Sequence, residues 1–557
     1  MSTSARTEPS RPVSPLDDAS APFYTIGQVA SLLGVRPAAI RRFEQERLIA
    51  PIRSQGGQRR YSRDEVDRLR EVVDLAEEGV TLAGVRRVLA LRERVDELEA
   101  AAGPDRAADA GPRAGARPDG TVEGVPSAVP SLADQRNDDS FPDIWEEIVW
   151  RGLVHVSTDP AELKALLADG PITYYCGFDP TAPSLHLGNL VQLLLLRRLQ
   201  LAGHRPIGLV GGSTGLIGDP RPTAERTLHS RETVAEWVAR LEAQVRRFLS
   251  FEGENAARIV NNLDWFGRYS AIDFLRDIGK HFRVGTMLKK DAVAARLSSD
   301  AGISYTEFSY QILQGDDFLQ LYRNYGCILQ TGGSDQWGNL TSGIDLIHKV
   351  EGVTAHAIGT PLITNSDGTK FGKSEGNAIW LDPEMCSPYR FYQFWLNQAD
   401  ADVIDRLKVF TFLPRAEIER LEAAVAAEPF KREAQRTLAW EVTSLVHGEE
   451  AARAAIAASE ALFGQGDLAA LDEATLRSAV EELETARLPA GAPVVAALAE
   501  TGLVSSLSEG RRAIQQGGIY VDNAKVVDEN AVLEPALAGG IVVLRRGKRS
   551  LAAAFTR

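Results

Sequence analysis

Hydrophobic and polar positions alternate in three distinct ways along the chain. Thr173–Phe178 (TYYCGF) is a run of β-formers and predicts a buried strand. The leucine-rich run LVQLLLLRRLQLAG just beyond Asn189 predicts a helix, and Pro206–Val210 predicts a second strand. Strands alternating with helices indicate a parallel, doubly wound, Rossmann-like α/β sheet. Residues 388–482 are rich in Ala, Leu and Glu at helical spacing and predict an α-helical domain. Near 484–493 the run ETARLPAGAP interrupts that pattern before a short final module. There, Ser506-Leu507-Ser508-Glu509 has the form of a capping box opening a helix, and GGIYVDNAKVV reads as a hairpin turning at Asp522-Asn523.

The N-terminal part has its own pattern. Thr25-Ile26-Gly27-Gln28 also has the capping-box form, and the helix it starts runs through Leu33 and ends at Gly34. A second helix starts near Pro37, which suits a first helical position. Helix, short Gly-containing turn, helix is a helix-turn-helix, and the arginine-flanked Gly56-Gly57 turn after it reads as a hairpin wing. Residues 101–140 are mostly Ala, Gly, Pro and Asp without periodicity. They cannot bury enough apolar surface to offset their ordering entropy and read as a flexible linker. The expected layout is a disordered tail at 1–21, a helical winged helix-turn-helix module at 22–100, and the linker at 101–140. An α/β domain at 141–387, a helical domain at 388–484 and a small α+β domain at 493–557 follow.

Length agrees with several domains: 557 residues is three to four at about 150 each. The net charge of −14 excludes a uniformly basic nucleic-acid coat, but local basic patches remain. One lies between 36 and 63, where eight arginines face only Glu44 and Glu46. Arginines at that density on a helix and wing suit phosphates and base edges; the bland alternative is a solvated face. The three cysteines stand far apart, which excludes a disulfide scaffold and fits a reducing compartment. With no signal-peptide pattern and no run long enough for a membrane helix, a cytoplasmic protein is expected.

Three segments carry candidate chemistry. The strand at 173–178 runs into Asp179-Pro180-Thr181-Ala182-Pro183-Ser184-Leu185-His186-Leu187-Gly188-Asn189 and then a helix. That geometry sets backbone N–H groups against a phosphate: His186 can donate to a phosphate oxygen, and Gly188 allows close approach of a base. A capped loop with a satisfied histidine gives the same pattern. The second strand ends in Gly211-Gly212-Ser213-Thr214-Gly215, either a pocket floor or a set of tight turns. The third segment, Lys370-Phe371-Gly372-Lys373-Ser374, suits a mobile clamp on a polyphosphate or a solvated loop. Tyr310, Gln314 and Asp317 stand at i, i+4 and i+7. They form one polar stripe among apolar neighbours, which is costly in a core unless a ligand satisfies it; a helix facing water is the alternative.

CGFDPTAPSLHLGN followed about 180 residues later by KFGKS resembles the two signatures of class I aminoacyl-tRNA synthetases. YTEFSYQILQGDDFLQLY and LQTGGSDQWGN narrow the resemblance to tyrosyl-tRNA synthetases of the bacterial type, from about 141 to the C-terminus. That resemblance implies ATP, with Mg2+, L-tyrosine and tyrosine tRNA as ligands, and a homodimer. It implies that Tyr175 and Asp317 meet the tyrosine phenol while Tyr310, Gln314 and Asp219 hold its ammonium group. Thr181, His186, Arg226, Lys370, Lys373 and Ser374 are implied at the phosphates. Cys176, Asn189 and Asp335 are implied at the ribose, with Gln336 near the α-phosphate and the tyrosine carboxylate. Two departures stand out: Asn189 replaces a histidine common in relatives, and the loop after Asp219 reads RPTAE without a lysine.

IGQVASLLGV, IRRFEQERLIAP, GGQRRYSRDEVDRL and EEGVTLAGVRRVL, in that order, resemble the DNA-binding domain of MerR-family regulators, nearest the heat-shock-repressor branch. The resemblance implies double-stranded DNA as a partner through Arg41, Arg42, Arg59, Arg60 and Tyr61, and a dimerising coiled coil from Thr81 to about Leu98. The final module resembles the small RNA-binding fold first known from ribosomal protein S-four, which implies tRNA contacts by Arg511, Arg512, Arg545 and Arg546. Two other readings compete with a ligase. One is a transcription regulator that uses the synthetase body as a tyrosine or adenylate sensor, and the other is a tryptophan-specific relative. Intact His186, Lys370 and Lys373 argue against the first, and Tyr175 with Asp317 against the second.

Overall fold

The computed structural model describes residues 132 and 135–556, with short breaks at 221–227, 299–301, 367–370, 375–376, 482 and 548–549, and scattered residues between 24 and 73. The chain forms two compact units, Met1–Asp119 and Gly120–Arg557.

In the first unit, helix Ile26–Leu32 begins at the reciprocal cap its sequence predicts. The Thr25 hydroxyl accepts from Gln28 N, and the Gln28 amide oxygen accepts from Thr25 N at 2.9 Å. Ile52–Arg53 and Arg59–Arg60 pair antiparallel as the wing, with Ile52 opposite Arg60. Val29, Ile40, Phe43, Leu69 and Val72 form the core. Tyr61, expected at DNA, is instead fully buried in that core and bridged to Tyr24, where its ring is removed from water. Arg41, Arg42 and the 81–98 helix lie outside the described residues.

In the second unit a six-stranded sheet is built from β1 (Val156–Ser157), β2 (Thr173–Phe178), β3 (Arg205–Val210), β4 (Arg258–Asn261), β5 (Cys327–Gly333) and β6 (His356–Thr360). Its order is β1-β6-β5-β2-β3-β4, and every pair is parallel except β1 with β6. From β2 the chain moves outward through β3 and β4, then returns to the other side of β2 as β5. Strand order therefore reverses between β2 and β5, and a crevice opens at their carboxyl ends, where such sheets bind ligands. The two-residue alternation of β2 sends Tyr174, Cys176 and Phe178 into one core and Tyr175 into the other.

Three helices frame the crevice: α1 (Leu187–Leu201), α2 (Tyr305–Tyr325) and α3 (Trp337–Glu351). Helix α1 starts earlier than its leucine run suggests, because His186 caps it and Asn189 returns a side-chain bond to the cap. Gln135–Asp138 packs on α1, although composition assigns these residues to the linker. Gln135 is buried and accepts from Arg197 Nε at 2.9 Å, and Asn137 Nδ2 donates to the Arg198 carbonyl at 2.9 Å. Beside them, buried Glu147 pairs with Arg151 at 2.8 Å and Arg198 at 3.0 Å. Arg151 also donates to the Leu413 carbonyl at 2.9 Å, which ties the α/β part to the helical one.

The helical domain comprises Pro388–Leu396, Val403–Phe410, Arg415–Ala427, Glu433–His447, Glu449–Leu462 and Glu473–Glu481. The last sheet has the order Glu484–Leu488, Ser550–Thr556, Ile541–Arg546, Ile519–Val521, Ala524–Lys525. Its hairpin turns at Asp522 and Asn523, both at positive φ (46° and 65°) as a type I′ turn requires. Glu484–Leu488, which reads as a break in sequence, is an edge strand parallel to Ser550–Thr556. Ser506 caps its helix, but the Glu509 carboxylate accepts from Ser505 N at 2.7 Å rather than closing a reciprocal box.

Candidate active site

Backbone pairing brings the two signature segments together. Leu187 N donates to the Ile379 carbonyl at 3.2 Å and Leu381 N to the Leu185 carbonyl at 2.8 Å, so the strand leaving the lysine loop lies along the turn before α1. Ile379 N also donates to Gly372 O at 2.9 Å, and Phe371 is buried against Phe394, Trp395 and Phe410. This anchors the loop on the helical domain. Lys373–Ser374 pairs with Asn377–Ala378. The Lys373 and Ser374 side chains, Lys370 and Arg226 lie outside the described residues.

His186 Nδ1 accepts from Gly188 N at 3.0 Å, so the neutral ring carries its proton on Nε2, as a donor. The capped-loop and phosphate-loop readings of this turn are thus compatible. A Cβ at Gly188 would sit 2.8 Å from His186 Cε1, so the turn needs glycine there. Asn189 Oδ1 accepts from His186 N at 3.0 Å, which commits its oxygen and leaves Nδ2 as the end for a ligand. Thr181 is exposed at the mouth. Cys176 lies opposite Thr331 across the β2–β5 pair, its thiol pushed up to about 12 by burial. Asp335 and Gln336 form the turn at the carboxyl end of β5.

Across the crevice a continuous hydrogen-bonded chain joins four elements. The Tyr310 hydroxyl donates to Asp179 Oδ2 at 2.7 Å, and Thr214 Oγ1 donates to Asp179 Oδ1 at 2.6 Å. Asn262 Nδ2 donates to Thr214 Oγ1 at 3.0 Å and to Asp317 Oδ2 at 3.1 Å, while Trp265 Nε1 donates to Asp317 Oδ1 at 2.9 Å. Burial pushes the Asp317 carboxyl well up, and these donors pull it back. Tyr310 is raised by burial first and then by Asp179, Asp219 and Asp317, so three carboxylates converge on it. Among the described residues, the Tyr175 hydroxyl and Gln314 Oε1 are buried and find no hydrogen-bond partner, as polar atoms awaiting a ligand do. Asp219 accepts from Gln336 Nε2 at 3.1 Å and from Asn339 Nδ2 at 3.2 Å.

The predicted stripe on α2 therefore faces a polar pocket rather than water. Asp179, Thr214, Asn262, Trp265 and Asn339 complete it without having been singled out in sequence. Of these, Asp179, Thr214 and Asn339 fall in quoted motifs, whereas Asn262 and Trp265 do not. At the other end of the chain Arg511 and Arg512 are exposed. Arg545 lies 4.0 Å over the Tyr520 ring, and Arg546 pairs with Glu509 at 2.8 Å, so intramolecular partners hold both.

A doubly wound sheet with an HLGN cap and a KFGKS loop at its switch point is the architecture of class I aminoacyl-tRNA synthetases. Residues 167–464 match the model for class I tRNA synthetases (W and Y), 475–553 the SYY-like C-terminal domain of tyrosine--tRNA ligase, and 24–91 the MerR HTH family regulatory protein. The chain is 71% identical to the tyrosine--tRNA ligase of Leifsonia xyli over 426 residues, covering 76% of this chain and 96% of that one. It is 63% identical to that of Streptomyces coelicolor over 414 residues, covering 74% and 98%. A C-terminally truncated mitochondrial tyrosyl-tRNA synthetase of Aspergillus nidulans superposes with a TM-score of 0.52 at 30% identity, over 57% of this chain and 93% of that one. The chain belongs to the tyrosine--tRNA ligase family. It is an enzyme whose substrates are tyrosine, ATP and tRNA.

Proposed function

We propose that the pocket between β2, β5 and α2 performs both half-reactions with the following roles. The tyrosine carboxylate attacks the ATP α-phosphate and pyrophosphate leaves; a hydroxyl of the tRNA 3′-terminal ribose then attacks the acyl carbon and AMP leaves. Tyr175 and Asp317 take the phenol, while Tyr310, Gln314 and Asp219 take the ammonium group. Cys176, Asn189 and Asp335 hold the ribose, Gly188 gives the base room, and Gln336 lies near the reacting carboxylate. Thr181, His186, Arg226, Lys370, Lys373 and Ser374 stabilise charge moving onto pyrophosphate. The reading is carried by the Tyr310–Asp179–Thr214–Asn262–Asp317 hydrogen-bonded chain beside the Tyr175 hydroxyl, which is buried and has no partner among the described residues. Mg2+ is proposed to come with ATP, held mainly by its phosphates. Asp219→Asn should raise the KM for tyrosine, and an unchanged KM would refute the ammonium assignment.

No described helix is long and apolar enough to cross a membrane, and the protein is proposed to act in the cytoplasm as a homodimer. Exposed Ile272, Leu275, Val284, Leu288 and Leu297, all in the insertion between β4 and α2, support the dimer. Sedimentation that finds only monomer at micromolar concentration would refute it. Arg511 and Arg512 are the terminal module's available tRNA contacts, with Arg545 and Arg546 holding its shape.

The N-terminal unit is proposed to bind double-stranded DNA through Arg41, Arg42, Arg59 and Arg60, on the strength of its family match and its basic 36–63 segment. A dimeric body would carry two such modules, one on each chain. Full-length protein should then bind a two-half-site DNA more tightly than a 1–100 fragment, because pairing becomes intramolecular. Equal affinity would remove the tethering argument.

A further inference from the structure

Lys290 stands at the N-cap of helix Asp291–Leu297, in the insertion between β4 and α2, and its side chain enters the amino-acid site from there. Its stem runs along Gly338, where a Cβ would sit 3.1 Å from Lys290 Cε, so the approach depends on that glycine. Its Nζ donates to Asn339 Oδ1. Asn339 is buried, and its Nδ2 donates to Gln336 Oε1 at 2.7 Å and to Asp219 Oδ1 at 3.2 Å; Gln336 Nε2 then donates to Asp219 Oδ2 at 3.1 Å.

Two amides in series each have two possible senses. An ammonium offers only donors, so Lys290 forces the Asn339 oxygen toward itself and the NH2 toward Gln336 and Asp219. That commits the Gln336 oxygen to Asn339 and turns its NH2 to Asp219. Without Lys290, an inverted Asn339 would set its oxygen against the carboxylate. Burial draws Lys290 down to about 7 with Asp219 pulling the other way, and the neutral amine can still donate to Asn339.

We propose that Lys290 is a positioning residue for tyrosine: acting through Asn339, it sets the sense of the amide relay and so aligns the Asp219 carboxylate that takes the substrate ammonium. This rests on the ammonium assignment given above. In tyrosine-dependent ATP–pyrophosphate exchange, Lys290→Met should raise the tyrosine KM about tenfold, the effect of one misplaced buried hydrogen bond, and leave the ATP KM within about twofold. Lys290→Arg should restore most of the loss. In an Asn339→Ala background, Lys290→Met should add less than about twofold, because the relay is already gone. Asn339→Asp, which keeps a partner for Lys290 but sets a carboxylate against Asp219, should also raise the tyrosine KM and is informative if Lys290→Met fails to fold. An unchanged tyrosine KM in Lys290→Met or Asn339→Asp overturns the proposal, as does the full Lys290→Met effect persisting without Asn339. Asp219→Asn separates the two levels. If it leaves the tyrosine KM unchanged, the ammonium assignment fails; if it raises the KM while Lys290→Met does not, only the relay fails.

Discussion

The Tyr310 hydroxyl donates to Asp179 at 2.7 Å across 131 positions of sequence, which fixes the second turn of α2 to the carboxyl end of β2. The second Asp179 oxygen accepts from Thr214, and a Cβ at Gly211 would fall 2.1 Å from it. The glycine-rich end of β3 is thus shaped around a carboxylate. A clamp of this kind holds the amino-acid pocket in position before any substrate arrives.

Tyr310→Phe removes the hydroxyl that donates to Asp179 Oδ2 at 2.7 Å and with it the tie between α2 and the end of β2. A hydrogen bond to a charged group contributes about 1.5–3 kcal/mol, so kcat/KM for tyrosine should fall about 10- to 100-fold with the ATP KM little changed. Steady-state exchange kinetics check this; a loss confined to ATP would contradict the clamp.

Lys373→Ala should lower the rate of adenylate formation by at least about a hundredfold while leaving the tyrosine dissociation constant within about threefold. The loop lysine should engage the phosphates more strongly as charge moves onto pyrophosphate, and such an interaction is lost from the rate rather than from ground-state binding. Single-turnover kinetics with equilibrium tyrosine binding separate the two.

Arg197 is buried and donates to Gln135 Oε1 and to the Leu132 carbonyl. A chain beginning at 130 keeps both acceptors, whereas one beginning at 141 loses them, at a cost of about 1–3 kcal/mol per unsatisfied group. Both should charge tRNA, because every assigned catalytic residue lies beyond 140. The shorter chain should unfold several degrees lower, and equal midpoints would show that the 132–138 strap contributes nothing.

Glu441 is buried in the helical domain near Glu417 and Glu449, and its carboxyl is raised from 4.5 to about 7, chiefly by burial. The folded state thus holds a proton that the unfolded chain releases near 4.5, so stability declines as pH rises from about 4.5 to 7. Glu441→Gln removes that penalty. It should be more stable than the parent at pH 8 by an amount on the order of 3 kcal/mol and indistinguishable from it near pH 4.5. A thermal midpoint gain that did not vary with pH would contradict the assignment.

Local signals were legible where they were strong. The β-formers of β2, the cap at Thr25 and the Tyr310–Gln314–Asp317 stripe all read directly, because each depends on neighbours within two turns or one strand. Asn262, Trp265 and Lys290 could not be read, because each matters through a partner that only the sheet topology brings near. Arg545 and Arg546 looked like an RNA surface by composition. The ring of Tyr520 and the carboxylate of Glu509, which occupy them, are 25 and 37 residues away in sequence. Glu484–Leu488 lacks apolar alternation because it is a largely exposed edge, paired only to a strand more than 60 residues later.

In the proposed pocket Asp317 reads the phenol of tyrosine. Both of its oxygens already accept hydrogen bonds, from Asn262 and Trp265, so an amide at this position would turn its NH2 against a donor. The decisive measurement is ATP–pyrophosphate exchange by the full chain and by Asp317→Asn with tyrosine and phenylalanine as alternative substrates. The parent should respond to tyrosine and scarcely to phenylalanine. Asp317→Asn should cut the ratio of their kcat/KM values at least about tenfold with the ATP KM nearly unchanged. An undiminished tyrosine preference in Asp317→Asn would contradict the account and place the specificity pocket elsewhere.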